Sequence, residues 1–346
     1  MLRWLLAPFA LLYLVATTLR NYLYSSGYFH SQQFDRTVIS VGNLNVGGSG
    51  KTPLTEYLIT NLSGRHRVAT LSRGYKRTST GFRKVNGQDT AATVGDEPLQ
   101  MFLKFGDRIS VFVGEDRALA IPCMLAEEPE IDIILLDDAF QHRAVQPRIS
   151  IVVTDAAKPF FEDYLLPVGR LRESRGGVAR ADLVIVTKCP PAASLEWRSK
   201  QTTSVRRYLG LKPVLFSAVQ YQHPVGFGIE TWQSQPVFAV TGIAQVDSFI
   251  EHLSAHYRLC GHLRFPDHHP FSDADVEAIL AAARRLPHPV AIMTTEKDFV
   301  RLAPYYGRSR LAPFQCFYIP IEMTFLLEDG KEFAAFLADR MPAPRS

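Results

Sequence analysis

Residues 37–57, TVISVGNLNVGGSGKTPLTEY, pass from a β-branched run through a glycine-rich turn into Lys-Thr and a helix-compatible stretch. Such a turn lets backbone amides close around phosphate oxygens at a helix N-terminus. The expected cradle is Asn45, Val46, Gly47, Gly48, Ser49 and Gly50, with Lys51 reaching the β- and γ-phosphates and Thr52 offering its hydroxyl to Mg²⁺. A strict P-loop has glycine at position 45, where this chain has Asn45. The strand before the turn and the helix after it supply the context the motif requires.

A nucleotide-bound Mg²⁺ calls for an acid at the end of a neighbouring strand. The segment IDIILLDD, residues 131–138, ends an apolar run in Asp137 and Asp138, which are expected to serve that role, although either could cap the following turn. Three further segments carry polar chemistry. In GDEP, residues 95–98, Pro98 suits a first helical turn, so that Asp96 or Glu97 read alone is an N-cap. FPDHHPFSDAD, residues 265–275, has a capping-box start in Ser272 and Asp275 and leaves Asp267, His268 and His269 in the preceding loop. Adjacent histidines point in different directions and no further ligand is evident, so acid–base or orienting work fits better than zinc. LPVGRLRES, residues 166–174, followed by Arg175, brings together Arg170, Arg172 and Glu173, whose guanidinium groups could grip phosphate or simply lie on a surface loop.

Positioning these groups requires a frame, and β-branched runs at 37–41, 68–71, 109–113, 131–136, 149–153 and 183–187 alternate with helical stretches. Runs apolar on both faces read as parallel strands covered on each side, a doubly wound α/β architecture. New strands at 237–240, 290–294 and 317–321, with a helix from Val246, predict a second, smaller α/β domain from about residue 231 to the end. At 346 residues, two domains are the better expectation.

Before residue 36 lies an apolar stretch from Trp4 to Leu19, bounded by Arg3 and Arg20 and followed by Tyr22, Tyr24, Tyr28 and Phe29. It is short of the ~20 residues a perpendicular span needs and lacks the small-x-small site of a cleaved signal peptide. A helix embedded in or lying on the inner leaflet accounts for it. The four cysteines are widely separated and give neither a metal pair nor a disulfide framework, which favours a reducing compartment. A net charge of +4 does not imply nucleic acid, though the seven Lys and Arg between Arg65 and Lys84 form a basic band suited to an anionic surface. TKCP, residues 187–190, lacks the acid of a guanine-reading motif.

In order along the chain, the apolar helix, VGNLNVGGSGKTP, LSRGY (71–75), VGDEP, DDAFQH (137–142), LPVGRLRE, FPDHHPF and TTEKDFVRL (294–302) resemble the tetraacyldisaccharide 4'-kinase family. The resemblance implies a P-loop NTPase-like fold and transfer of the ATP γ-phosphate to the 4'-hydroxyl of a tetraacyldisaccharide 1-phosphate. It implies ATP and Mg²⁺ as cofactors, a glycolipid substrate, and the cytoplasmic face of a Gram-negative inner membrane, with no nucleic acid and no obligate protein partner. Carried over residue by residue, Lys51, Asp138, Asp96 and His268 would be catalytic, with His268 pairing with the Asp96 carboxylate from the second domain, and Thr52, Asp137 and Asp138 would hold the metal. Arg73, Arg117, Arg172 and Glu173 would face substrate and phosphate. The chain departs from the family's usual DDGFQH at Ala139, which matters only if that position needs φ > 0.

Overall fold

The computed structural model describes residues 5–228, 231–286, 289–307, 311 and 314–341, so that Arg3 and Trp4 of the expected first segment lie outside it. The first helix, α1 (Ala7–Ser25), precedes a nine-stranded sheet. That sheet is built from β1 (Thr37–Gly42), β2 (Val68–Ser72), β3 (Arg83–Lys84), β4 (Ser110–Val113), β5 (Ile133–Asp137), β6 (Ile149–Asp155), β7 (Leu183–Thr187), β8 (Val214–Tyr221) and a returning β14 (Ile321–Phe325). The spatial order is β14-β8-β7-β6-β1-β5-β2-β4-β3, with antiparallel pairing only at the two edges.

Alternation of side chains decides which helices cover the sheet. Ile39, Val41, Ile133, Leu135, Ile149 and Ile151 face α2 (Lys51–Leu62), the short α3 (Ala91–Val94), α4 (Asp96–Phe105) and α10 (Asp329–Arg340) in one buried cluster. Val38, Ile134 and Leu136 turn to the opposite face, where Ile121 and Met124 of α5 (Arg117–Glu127) cover them. Beside them Val152, Val184 and Val186 meet Val205 and Leu209 of α6 (Leu195–Leu209). Every residue of β1, β5, β6 and β7 is buried, as a sheet covered on both faces demands. The strand order reverses about β1, and open α/β sheets bind ligands in the crevice at the C-terminal ends of strands at such a reversal.

The second sheet, in order β11-β10-β12-β13-β9, uses β9 (Val225–Gly226), β10 (Val237–Thr241), β11 (Leu259–Arg264), β12 (Ala291–Thr295) and β13 (Cys316–Ile319). Its helices are α7 (Asp247–His256), α8 (Asp273–Arg284) and α9 (Glu296–Gly307), which supply Phe249, Val276, Ile279 and Leu302 to its two cores.

Two expectations about this part change. The run 317–321 is not one strand: β13 stops at Ile319, and after Pro320, which has no N–H for a ladder, Ile321 pairs antiparallel with Tyr221 of β8 in the larger sheet. The last strand and α10 therefore join the first sheet rather than the expected 231–346 unit, and the second sheet begins earlier, with β9. The return is anchored by Asp329, which pairs with Arg198 at 2.6 Å and accepts the Phe216 amide at 2.7 Å.

Candidate active site

Gly42 ends β1 where a Cβ would stand 2.5 Å from the Cβ of Phe140, so only glycine lets the loop approach the DDAFQH turn this closely. Gly47 and Gly50 take φ of 110° and 90°, and Gly50 caps α2 in the left-handed region that glycine alone enters without cost. The turn is held from inside. Asn43 donates to Ser49 Oγ at 2.6 Å and lies 3.4 Å from Lys51 Nζ, while Thr187 donates to the Ser49 carbonyl at 2.7 Å. Asn45, where a strict motif has glycine, donates to Asp163 at 2.8 Å, and the Val46 amide is given to the Arg170 carbonyl. Both residues thus shape the loop by zipping it to the 163–172 segment rather than by offering these groups to phosphate.

Asp137 and Asp138, the acids at the end of β5 that take the Walker B position beside a P-loop, separate in role. Asp137 is buried, and its Oδ1 has no hydrogen-bond partner among the described residues. Burial, with Glu97 close by, pushes its carboxyl up to about 7. Asp138, at φ 49°, instead pairs with Arg172 at 2.8 Å and Lys51 at 3.5 Å. Burial works against its charge, but Lys51 and Arg172 outweigh it and hold the carboxyl below its usual range. The Thr52 hydroxyl lies 3.3 Å from Oε1 of Glu97, the same carboxylate that presses on Asp137. A hydroxyl, an orphaned buried carboxylate oxygen and a second carboxylate make a hard-oxygen set. Among the described residues no three His, Cys, Asp or Glu gather as a metal cage. Such a partial set suits Mg²⁺, which takes one or two carboxylates and completes its shell with phosphate and water. The residues fit Mg²⁺ as Thr52, Asp137 and Glu97, with Asp138 committed to Lys51 and Arg172 instead.

From the loop before α8, His268 Nδ1 lies 2.9 Å from Asp96 Oδ2, although 172 positions separate the two residues. The reading of Asp96 or Glu97 as an N-cap fails, because Gly95 at φ 96° takes the cap position and both carboxylates point outward from the first turn of α4. His268 sits at φ 56° with its amide on the Gly242 carbonyl, and Arg301 approaches Asp96 to 3.6 Å. The capping box at Ser272 and Asp275 forms as expected and fixes where this loop enters α8.

The remaining residues divide. Arg172 belongs to the site through Asp138. Arg117, buried at the start of α5, supports the Walker B strand end through the carbonyls of Asp137 and Glu115. Arg73 is exposed beyond β2, close enough to press on the charges of Arg117 and His142. Glu173 is fully buried and accepts from Arg180, Gln141 and Asn21, so it ties α1 to the loop behind Arg172. Arg170 and Arg175, which the sequence left as phosphate grips or surface-loop residues, are spent on Asp163. In the basic band, Arg77, Arg83 and Lys84 pair with Glu115, Asp89 and Glu128. Ala139 is absent from the left-handed region, where Asp138 stands instead, so its methyl is tolerated.

Sequence reasoning gave no role to Lys297 and Arg301, although TTEKDFVRL contained them, and treated Glu97 only as a cap. Their signal was the density of charge in that segment and in GDEP. Helix α1 also enters the site: Tyr13 donates to the Arg172 carbonyl at 2.8 Å and Arg20 to the Gln141 carbonyl at 3.2 Å. Its outer face leaves Phe9, Leu12, Val15 and Leu19 exposed. Among the described residues no helix is long and apolar enough to cross a membrane.

Residues 2–342 match the family described as Tetraacyldisaccharide-1-P 4'-kinase. A Tetraacyldisaccharide 4'-kinase of Flavobacterium johnsoniae is 42% identical over 330 residues, covering 94% of each chain. That of Bacteroides thetaiotaomicron is 40% identical over 349 residues, covering 96% of this chain and 91% of its own. The crystal structure of LpxK from Aquifex aeolicus in complex with ATP superposes with a TM-score of 0.78 at 27% identity, covering 99% of this chain and all of the other. A P-loop sheet, a split Walker B pair and a family match along nearly the whole length lead to one conclusion: the chain belongs to the tetraacyldisaccharide-1-P 4'-kinase family.

Proposed function

We propose that the chain performs its family's reaction, ATP-dependent phosphorylation of the 4'-hydroxyl of tetraacyldisaccharide 1-phosphate in lipid A biosynthesis, in the cleft between its two sheets. The observation that carries this reading is the Asp96–His268 pair, which joins the start of α4 to the loop before α8 beside the P-loop. Asp96 takes the proton of the acceptor hydroxyl, and His268, held by the Gly242 carbonyl through its backbone, orients that carboxylate. Lys51 and Arg172, now shared on Asp138, supply positive charge at the phosphates, and the glycine turn at the N-terminus of α2 cradles them. Mg²⁺ held by Thr52, Asp137 and Glu97 would neutralise phosphate charge and fix its orientation. The exposed apolar face of α1 rests on the cytoplasmic surface of the inner membrane, while its polar side holds the loop bearing Arg172.

The test is to incubate the purified protein with γ-labelled ATP, Mg²⁺ and tetraacyldisaccharide 1-phosphate in detergent micelles and separate the lipids. Label in a lipid bearing phosphate at both ends is expected. ATP turnover with no labelled lipid would instead favour a nucleotide-driven switch, and nucleotide binding without turnover a membrane scaffold.

A further inference from the structure

Two consecutive carboxylates open α4, and each is met by the second sheet's loops and helices. Asp96 receives His268 and Arg301, and Glu97 receives Lys297 of α9 at 2.7 Å, 200 positions away. The oxygen Lys297 holds, Glu97 Oε1, is the same one that lies 3.3 Å from the Thr52 hydroxyl. Near it stands the unpartnered Oδ1 of Asp137. The Lys297 ammonium is therefore seated among the oxygens that fit a divalent cation.

This seat is not imposed by the helix. The start of α9 is fixed independently by the neighbouring Glu296, whose carboxylate lies 3.0 Å from Lys104 Nζ, itself 2.7 Å from Glu56. Lys297 reaches Glu97 on a flexible four-carbon stem, and about a third of its side chain (34%) stays exposed in the cleft. An ammonium and a divalent cation both need Glu97, yet one carboxylate oxygen cannot serve both at full strength. Asp137 and Asp96 also act on this ammonium, and a loaded site would add phosphate as a further anion within its reach, since Lys51 and Arg172 mark where the nucleotide's phosphates lie.

We infer that Lys297 is a place-holding cation: it neutralises Glu97 while the Thr52–Glu97–Asp137 oxygens hold no metal, and passes to the phosphates of the nucleotide when metal and nucleotide enter together. The inference deepens the proposed function and rests on its P-loop site, but requires no lipid. The second sheet would thereby sense a loaded P-loop directly, through a side chain that changes partner.

The test is a binding measurement. Mn²⁺ is titrated by electron paramagnetic resonance into the full-length protein and into Lys297→Met, without nucleotide and then with a non-hydrolysable ATP analogue. Losing a competing charge within a few ångströms should tighten nucleotide-free Mn²⁺ binding roughly tenfold or more. Losing a charge-assisted contact to phosphate should weaken the analogue about tenfold. Lys297→Arg, which keeps the charge, should stay near the parent in Mn²⁺ affinity. Unchanged or weaker Mn²⁺ binding by Lys297→Met would make Lys297 a structural tie and overturn the inference. Should Lys297→Met not fold, crystals of the parent with Mg²⁺ and the analogue decide: Lys297 Nζ must leave Glu97, and finding it still within hydrogen-bond distance refutes the exchange. Failure of lipid phosphorylation would strike the proposed function while leaving the Mn²⁺ comparison intact.

Discussion

Replacing Asp96 with Asn keeps the side chain's shape and its 2.9 Å contact with His268 while removing its capacity to accept a proton. Losing a general base costs ~10²–10⁴ in rate, equivalent to about 3–5 kcal/mol of barrier. His268→Ala leaves the carboxylate in place but frees it from its imidazole partner, so kcat should fall by a similar order. If the two acted independently, the double variant would lose ~10⁴–10⁸; residues acting as a unit lose little more than the worse single change, ~10²–10⁴. Arg301, at 3.6 Å from Asp96, stays in every variant and keeps the loop's charge balance. Among the described residues neither makes a hydrogen bond or ion pair to residues 45–52, so KM for ATP should stay within about threefold, a change worth under ~1 kcal/mol. The assay is initial-rate transfer of labelled phosphate to lipid in micelles for all four proteins of the cycle. Fully multiplicative losses would refute the claim that Asp96 and His268 work as one device, and near-normal kcat in Asp96→Asn would remove the proton acceptor from this position.

Lys51→Ala should abolish lipid phosphorylation in a folded protein, because the ammonium 3.5 Å from Asp138 is the P-loop's own charge for phosphate; circular dichroism and the micelle assay together decide, and retained turnover would sink the nucleotide assignment. Deleting residues 1–20 should weaken sedimentation with vesicles and raise KM for lipid more than KM for ATP, and it should also lower kcat, since Tyr13 and Arg20 brace the Arg172 and Gln141 carbonyls. Full vesicle binding by the truncated protein would move the anchor elsewhere. Glu56 is raised from 4.5 to about 7 by burial and by Glu296, with Lys104 opposing. A raised carboxyl gives stability that is present below about 4.5 and lost as pH climbs through about 7. Glu56→Gln should therefore melt increasingly above the parent as pH rises from 5 to 8, by at most on the order of 3 kcal/mol. An offset independent of pH in thermal melts would contradict that assignment.

What the sequence determined by itself was whatever depends on neighbours along the chain. The turn from β1 into α2 is written in Gly47, Gly50, Lys51 and Thr52, because left-handed φ and a helix N-terminus are local requirements. The Walker B strand and the Ser272–Asp275 capping box were legible for the same reason. Tertiary structure alone decided the rest. A carboxylate at the start of a helix can cap its own amides or reach another element: the resemblance pairs Asp96 with His268, but for Glu97 the choice was made by Gly95 at the cap and by Lys297 arriving from the other sheet. Arg170 and Arg172 look alike in LPVGRLRES, yet one folds back on Asp163 and the other reaches Asp138. Glu173, adjacent to them, is drawn inward by Asn21 and Arg180. The last strand left the second sheet because the edge of β8 lay open to it beyond Pro320. Charge pairing and edge pairing are set by which surfaces meet, and no spacing along one chain encodes the distance between residues hundreds of positions apart.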